Sequence, residues 1–284
     1  MQNAIEIRGL STSFPRFELG PLDLTVPPGA MYGLVGPNGA GKTTVLDLIF
    51  GLGPRDAGDI RVLGLDNRKD EAAVKRIAAY VSPHNSYSPW GQVGRAIRFI
   101  GGFYPEWDHG YCDELLRRWG IAKDDDIDTL SLGKVMKLGV ILALARRPRV
   151  LIMDEPMMAL DAISKQELFA ELLALMSDGE HTILVSSHNL TDLERFADHV
   201  AMISEGTLLL EGATDQLLEN HRQVTCTLAG ELPAGASRVH RDGHQVRALT
   251  DSPRGFVQAL KDCGATELTV RPVTLEELFV ALVE

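Results

Sequence analysis

The residues Gly36-Pro37-Asn38-Gly39-Ala40-Gly41-Lys42-Thr43 follow the spacing G-x-x-x-x-G-K-[ST]. The run AMYGLVG before them is apolar and strand-like, and TTVLDLIFGL after them has helical spacing, which is the context that makes such a loop a phosphate cradle. Glycines in this pattern let successive backbone N–H groups turn inward on a polyphosphate, and the following helix adds the positive end of its dipole. Gly36, Asn38, Gly39, Ala40 and Gly41 form the cradle. Lys42 reaches the outer phosphates, and Thr43 offers a hydroxyl to Mg2+ with Thr44 beside it.

A second constellation is the run Val150-Leu151-Ile152-Met153-Asp154-Glu155-Pro156, an apolar strand that ends in two acids. An acid at the carboxyl end of a strand beside a phosphate loop can support the metal, which assigns Asp154 to Mg2+. Glu155, one residue further on, is placed to orient an attacking water and take its proton. By themselves these acids could equally cap the next helix; beside the phosphate loop they read as catalytic.

These motifs need elements to hold them. The pieces IEIRGL and LDLTV alternate apolar and polar, as short antiparallel strands do, and stop at Pro27-Pro28-Gly29. The uninterrupted apolar runs AAYV, RVLIMD, HTILVSS and HVAMIS suit strands of a sheet covered on both faces, as in α/β folds. Helical spacing in RAIRFIGGF, YCDELLRRWGI and GKVMKLGVILALARR predicts a helical subdomain over residues 89–147, inserted between sheet strands. After residue 220 short alternating pieces, the helical run SPRGFVQALKDCG, the strand ELTVRP and the terminal helix TLEELFVALV predict a small α+β appendage over 221–284.

Composition narrows the function. With 28 basic and 39 acidic residues the chain carries a formal charge of −11, which excludes a general basic grip on nucleic acid, so a phosphate ligand must be held by local donors. The acidity lies in the N-terminal part, since residues 222–284 hold 7 basic and 8 acidic side chains. Cys112, Cys226 and Cys263 fit neither a disulfide framework nor a zinc site, and they point to a reducing, cytoplasmic setting. No leader-like N-terminus and no run of 18 apolar residues is expected to insert into a membrane.

Together the motifs resemble the nucleotide-binding subunit of an ABC transporter over residues 3–218. Beyond the phosphate loop and the acidic strand end, Leu130-Ser131-Leu132-Gly133-Lys134 resembles the LSGGQ signature, Ala159-Leu160-Asp161 the D-loop, and Ser187-His188 the switch histidine. The resemblance implies a P-loop NTPase cassette of the α/β class over 1–220, with an antiparallel β subdomain, the inserted helical subdomain and the C-terminal appendage. It also implies an ATPase that uses ATP and Mg2+. Ser131 and Gly133 would meet ATP held by a second ATPase subunit, with Asp161 at that contact and a homodimer favoured over a heterodimer.

By the same resemblance His188 would contact the γ-phosphate, and Phe14 would stack on adenine, with Phe17 the alternative. The subunit would sit on the cytoplasmic face of the cell membrane, bound to a separate permease. The segments GGFYPEWD and PVTLEELFVALVE resemble bacterial exporters of this arrangement. Two positions depart from the family pattern. The signature has Leu132 and Lys134 where the family has Gly and Gln, and Tyr80-Val81-Ser82-Pro83-His84-Asn85 carries no Gln, leaving His84 or Asn85 in its place. The other readings are a soluble ABC ATPase acting outside transport and a regulatory nucleotide-binding subunit.

If the loop assignment holds, Lys42→Ala loses most ATP turnover and weakens nucleotide affinity, with little change in the thermal midpoint. Charge-assisted contacts to phosphate vanish from a site with little other positive charge. Wild-type turnover in the purified variant would refute the assignment.

Overall fold

The structure is a computed structural model that describes residues 2–236 and 238–283; Met1 and Glu284, the outer ends of the two expected domains, and Ser237 lie outside the described residues. Strands β1 (Ile5–Phe14) and β2 (Phe17–Val26) pair antiparallel from Ile5↔Val26 to Phe14↔Phe17. Each runs ten residues where the sequence suggests short strands, because pairing continues through register shifts around Leu10. Strand β3 (Met31–Val35) leads to the phosphate-type loop and helix α1 (Lys42–Ile49). Strands β4 (Ala57–Val62) and β5 (Leu65–Asp66) then complete a first sheet of order β2-β1-β4-β5.

Helix α2 (Glu71–Ile77) and strand β6 (Ala78–Val81) follow. After a 3-10 turn at Ser88–Trp90 come α3 (Val93–Gly101) and α4 (His109–Arg118), then a second turn at Ile127–Thr129 and α5 (Leu132–Leu144). The chain returns through β7 (Val150–Met153), α6 (Ala162–Met176), β8 (Thr182–Ser187), α7 (Leu190–Glu194), β9 (His199–Ser204), β10 (Thr207–Ala213) and α8 (Thr214–Asn220). These strands form a central sheet of order β10-β9-β3-β8-β7-β6, parallel except at β10.

Strands β3, β7 and β8 are buried at every position, as a parallel sheet covered on both faces requires. Their period of two divides the apolar side chains between two cores. Met31, Val35, Leu151, Met153, Ile183 and Val185 face the layer built by α3 to α6. Tyr32, Leu34, Val150, Ile152 and Leu184 face α1 and the first sheet. Each fully buried side chain of this kind contributes about 1.5–3 kcal/mol, so both layers are clamped to one sheet.

The C-terminal residues build a third, antiparallel sheet from β11 (Arg222–Thr227), β12 (Arg238–Asp242), β13 (Gln245–Thr250) and β14 (Thr266–Pro272), in the order β12-β13-β11-β14. Helix α9 (Pro253–Asp262) covers one face, with Phe256 and Leu260 on Val224, Cys226, Val246 and Ala248. Helix α10 (Leu275–Val283) behaves differently: Leu275 and Leu278 are fully buried in the core beneath the central sheet, beside Leu190 and Leu193 of α7. The break at 220/221 is therefore a break in sheet topology and not in the hydrophobic core. All three cysteines are free. Among the described residues no helix is long and apolar enough to cross a membrane.

Candidate active site

The order β3-β8-β7 sets the site. In parallel register Val35 pairs Ser187 and Met153 pairs Val185, so β3 and β8 end level and β7 ends two residues before them. Their carboxyl ends carry the loop 36–41, Ser187-His188 and Asp154-Glu155. Crevices at these ends are where open α/β sheets bind ligands.

Helix α1 starts at Gly41, whose φ of +105° is left-handed, and no side chain caps it. The first-turn amides of a helix have no partner within it, so here they are left to a ligand, and the dipole favours an anion. A Cβ on Gly41 would lie 2.7 Å from the Phe17 ring, so the residue must be glycine on both counts. The loop tip Pro37–Gly39 is exposed, whereas Lys42 is buried. Lys42 Nζ donates to the carbonyls of Gly36 at 2.8 Å and Pro37 at 3.2 Å, and lies 3.2 Å from Glu155 Oε1. The lysine is bent back over its own loop and held by one carboxylate.

Asp154 is 1% exposed and fully engaged: Thr43 Oγ1 donates to its Oδ2 at 2.8 Å, and Ser186 Oγ to its Oδ1 at 2.6 Å. Ser186 Oγ also accepts the Glu155 N–H at 2.9 Å. Glu155 has φ +43°, which an L-residue adopts at a cost of order 1–3 kcal/mol. The Ser186 bond, the Lys42 pair and a 2.8 Å contact from His188 Nδ1 to Glu155 Oε2 hold it there. The turn swings the carboxylate back over the phosphate-type loop. Glu155 Oε1 is buried, and its charge is met by Lys42 Nζ at 3.2 Å.

Thr43 and Asp154 are adjacent hard oxygen donors. Among the described residues no cluster of three or more His, Cys, Asp or Glu could form a metal cage. One hydroxyl and one carboxylate suit a magnesium ion that keeps its waters and takes its other ligands from phosphates, so these residues fit Mg2+ delivered with a nucleotide.

Ser131 and Gly133 lie elsewhere. Ser131 Oγ accepts the Lys134 N–H at 3.3 Å and caps α5, and a Cβ on Gly133 would come 2.9 Å from the Ala159 carbonyl. Asp161 caps α6 through the Ser164 amide at 2.8 Å, and that bond holds its carboxyl below the usual range. No side-chain hydrogen bond or ion pair among the described residues joins Ser131, Gly133 or Asp161 to the loop 36–44. The signature-like and D-loop-like residues thus form a second patch on the same chain. Lys134 Nζ donates to the Gly120 carbonyl at 2.7 Å.

Phe14 and Phe17 stack at 6.4 Å, with Phe17 against Gly41 and Phe14 outside it, 40% exposed. In the loop without Gln, Asn85 Nδ2 donates to the Tyr80 carbonyl at 3.3 Å and the His84 amide to Ser82 Oγ at 3.2 Å. Within GGFYPEWD, Trp107 packs into the helical layer while Phe103 stays exposed. Trp107 is 6% exposed, with its ring against Gly101, while Arg146 stacks on Tyr104 at 3.8 Å. The open aromatics are Phe99 and Phe103, in a ladder with Trp90.

Ser186 escapes motif reading. Its only signal is a hydroxyl at the carboxyl end of an otherwise apolar strand beside the acidic strand end.

A family model described as ABC transporter matches residues 19–158. The chain is similar to the Nod factor export ATP-binding protein I of Burkholderia lata, 28% identical over 98% of this chain and 96% of that protein. It is also similar to the lantibiotic transport ATP-binding protein SrtF of Streptococcus pyogenes, 31% identical over 74% of this chain and 91% of the other. A solved ATP-binding subunit of an ABC transporter superposes with a TM-score of 0.69 at 25% identity, over 76% of this chain and 92% of that one.

Ser186→Ala strands Asp154 Oδ1 and the Glu155 amide together. It should destabilise the fold by about 1–3 kcal/mol, the cost of leaving buried polar groups unpaired, as measured by urea denaturation. An unchanged midpoint would show that the serine bridge contributes nothing to holding the two acids.

Proposed function

Because this chain belongs to the ATP-binding proteins of ABC transporters and is an ATPase, we propose that it is the motor subunit of an exporter, closing as a dimer around two ATP to drive a separate membrane permease. The arrangement of Glu155 carries this reading: a carboxylate on a strained backbone, one oxygen paired with Lys42 and the other with His188, beside Asp154.

In this reading phosphate oxygens displace Glu155 from Lys42, since the amides of the loop 36–41 and α1 supply most of the remaining attraction. Thr43 and Asp154 would hold Mg2+, whose charge would offset that of the phosphates. Freed from the lysine, Glu155 takes the proton of the attacking water as the water's oxygen bonds to the γ-phosphorus. The bond from that phosphorus to the bridging oxygen of ADP breaks in the same displacement. His188, hydrogen-bonded to Glu155, steadies the carboxylate and reaches the γ-phosphate. Phe14, the exposed member of its pair, stacks on adenine. The cassette spans 1–220 and the accessory region 221–284.

The second patch supports a dimer. Among the described residues Ser131 and Gly133 make no hydrogen bond or ion pair with their own phosphate loop, which suits them to close the nucleotide of a second copy, with Asp161 at the same face. Leu132, Met158 and Ile163 beside them are exposed apolar side chains that such a contact would cover. On the helical layer Phe99 and Phe103, 53% and 65% exposed, offer an apolar footing for a permease helix. The name of the Nod factor relative supports export and that of SrtF supports transport. The place of action is the cytoplasmic face of the membrane, reached through the permease.

Glu155→Gln should bind ATP yet hydrolyse it about 100-fold or more slowly, because an amide cannot take the proton. With ATP and magnesium it should elute as a dimer, and adding Ser131→Arg should return it to monomer. Near-normal turnover would remove Glu155 as base, and an ATP-independent oligomer indifferent to Ser131→Arg would remove the sandwich.

Phe99→Glu combined with Phe103→Glu should abolish recovery of a polytopic membrane protein from solubilised membranes while nucleotide affinity stays unchanged. Recovery of soluble partners alone by the wild-type chain would sink the permease assignment.

A further inference from the structure

The third sheet has one face without a helix of its own. Alternation sends Val224, Cys226, Val246 and Ala248 to α9. It turns Gln223, Arg247, Leu249, Arg238 and His240 the other way, where Leu249 pairs with Gln223 and Arg238 across the strands and Arg247 with His240. Between this face and α10 lies a cavity of about 810 Å3. Its far wall is the helix stripe Glu276, Glu277, Val280 and Ala281. Small-molecule sites occupy about 300–1,000 Å3 and combine apolar walls with a few convergent polar groups.

The charges in the cavity are not equally committed. Glu277 is bound by Arg271 through both carboxylate oxygens, which holds its carboxyl below the usual range, and Arg247 adds to that field. Arg238 donates to the Leu282 carbonyl at 2.9 Å, tying sheet to helix. The side chains of Arg247 and His240 make no hydrogen bond among the described residues, although both residues line the cavity. Leu249, Val273 and Val280 supply apolar surface beside them. The Arg247 guanidinium therefore faces an apolar hollow in which one of the two opposing carboxylates is already paired.

Helix α10 has two working faces. One lines the cavity; the other buries Leu275 and Leu278 against α7, and the Leu275 amide donates to Glu194 Oε2 at 2.8 Å. Helix α7 begins two residues after His188, with Asn189 as its cap. A ligand that alters how α10 sits alters the packing of the helix that begins two residues after His188.

We propose that this cavity binds an organic anion with an apolar body, its carboxylate on Arg247 and its chain along Leu249, Val273 and Val280, and that occupancy is transmitted through α10 and α7 to the nucleotide site. An arginine fork suits a carboxylate geometrically. A ligand moves such an equilibrium only by preferring one seating of α10 over another, and contact with both walls provides that preference. The coupling half rests on the proposed role of His188; the binding half does not.

The probe is decanoate, below its micellar concentration, titrated into the full chain with 13C-labelled Val and Leu methyl groups. Saturable shifts should appear at Val239, Leu249, Val273 and Val280. Arg247→Ala should weaken binding about 10-fold or more and decanol should bind at least as poorly, since each removes the charge-assisted pair. Glu276→Gln should tighten binding by relieving repulsion. Absence of saturable shifts, or equal binding by Arg247→Ala or by decanol, overturns the site.

Saturating decanoate should also change ATP turnover by about two-fold or more in the wild type and not in Arg247→Ala. Binding with unchanged turnover overturns the coupling. A chain with no basal turnover would instead fail the catalytic reading, so the two failures are distinguishable.

Discussion

The common register of β3, β8 and β7 is the constraint on which the site depends. A slip of one residue in any of the three would turn its side chains to the opposite face and move its strand end by about 3.3 Å. Either change would part Ser186 from Asp154, or Lys42 from Glu155. Burial on both faces fixes the register, because every apolar side chain of these strands belongs to one core or the other. Rigidity at the strand ends in turn lets the structure hold Glu155 at a left-handed φ, which a loosely packed turn would relax.

Much of this was legible in the sequence for a simple physical reason. Buried parallel strands are unbroken apolar runs, and phosphate loops and strand-end acids are contiguous, so their chemistry lies within a few residues. What depends on partners distant in sequence was not legible. Ala57–Val62 has only Ile60 and Val62 buried, because its remaining residues face solvent at the rim of the first sheet, and the sequence reading assigns no element there. Ser186 acts on Asp154 across 32 positions. Trp107 and Phe103 look alike in an aromatic segment, yet packing against Gly101 buries one and exposes the other. The commitment of α10 to the central core shows only in three dimensions, since its apolar pattern fits any neighbour.

The electrostatics are local. A chain with a formal charge of −11 repels anions at a distance, so affinity for polyphosphate must arise within a few ångströms, from helix-start amides and one buried lysine. The pairing of that lysine with Glu155 keeps both charges compensated in a poorly hydrated place, where an isolated charge costs several kcal/mol. The same pair therefore serves stability when phosphate is absent and leaves two prepared groups when it arrives.

The double allegiance of α10 bears on how such chains are inherited. Residues 222–272 have their own sheet and core, and to that extent resemble a module that recombination could exchange. The helix after them fills a hollow lined by Leu190 and Leu193 with two fully buried leucines, and Glu194 receives its first amide. A cassette that lost this tail would expose an oily groove close to His188, and a tail moved to another cassette would arrive without its socket. Tail and cassette are thus bound to drift together, each substitution in the groove answered by one on the helix, so their ancestry should trace a single tree.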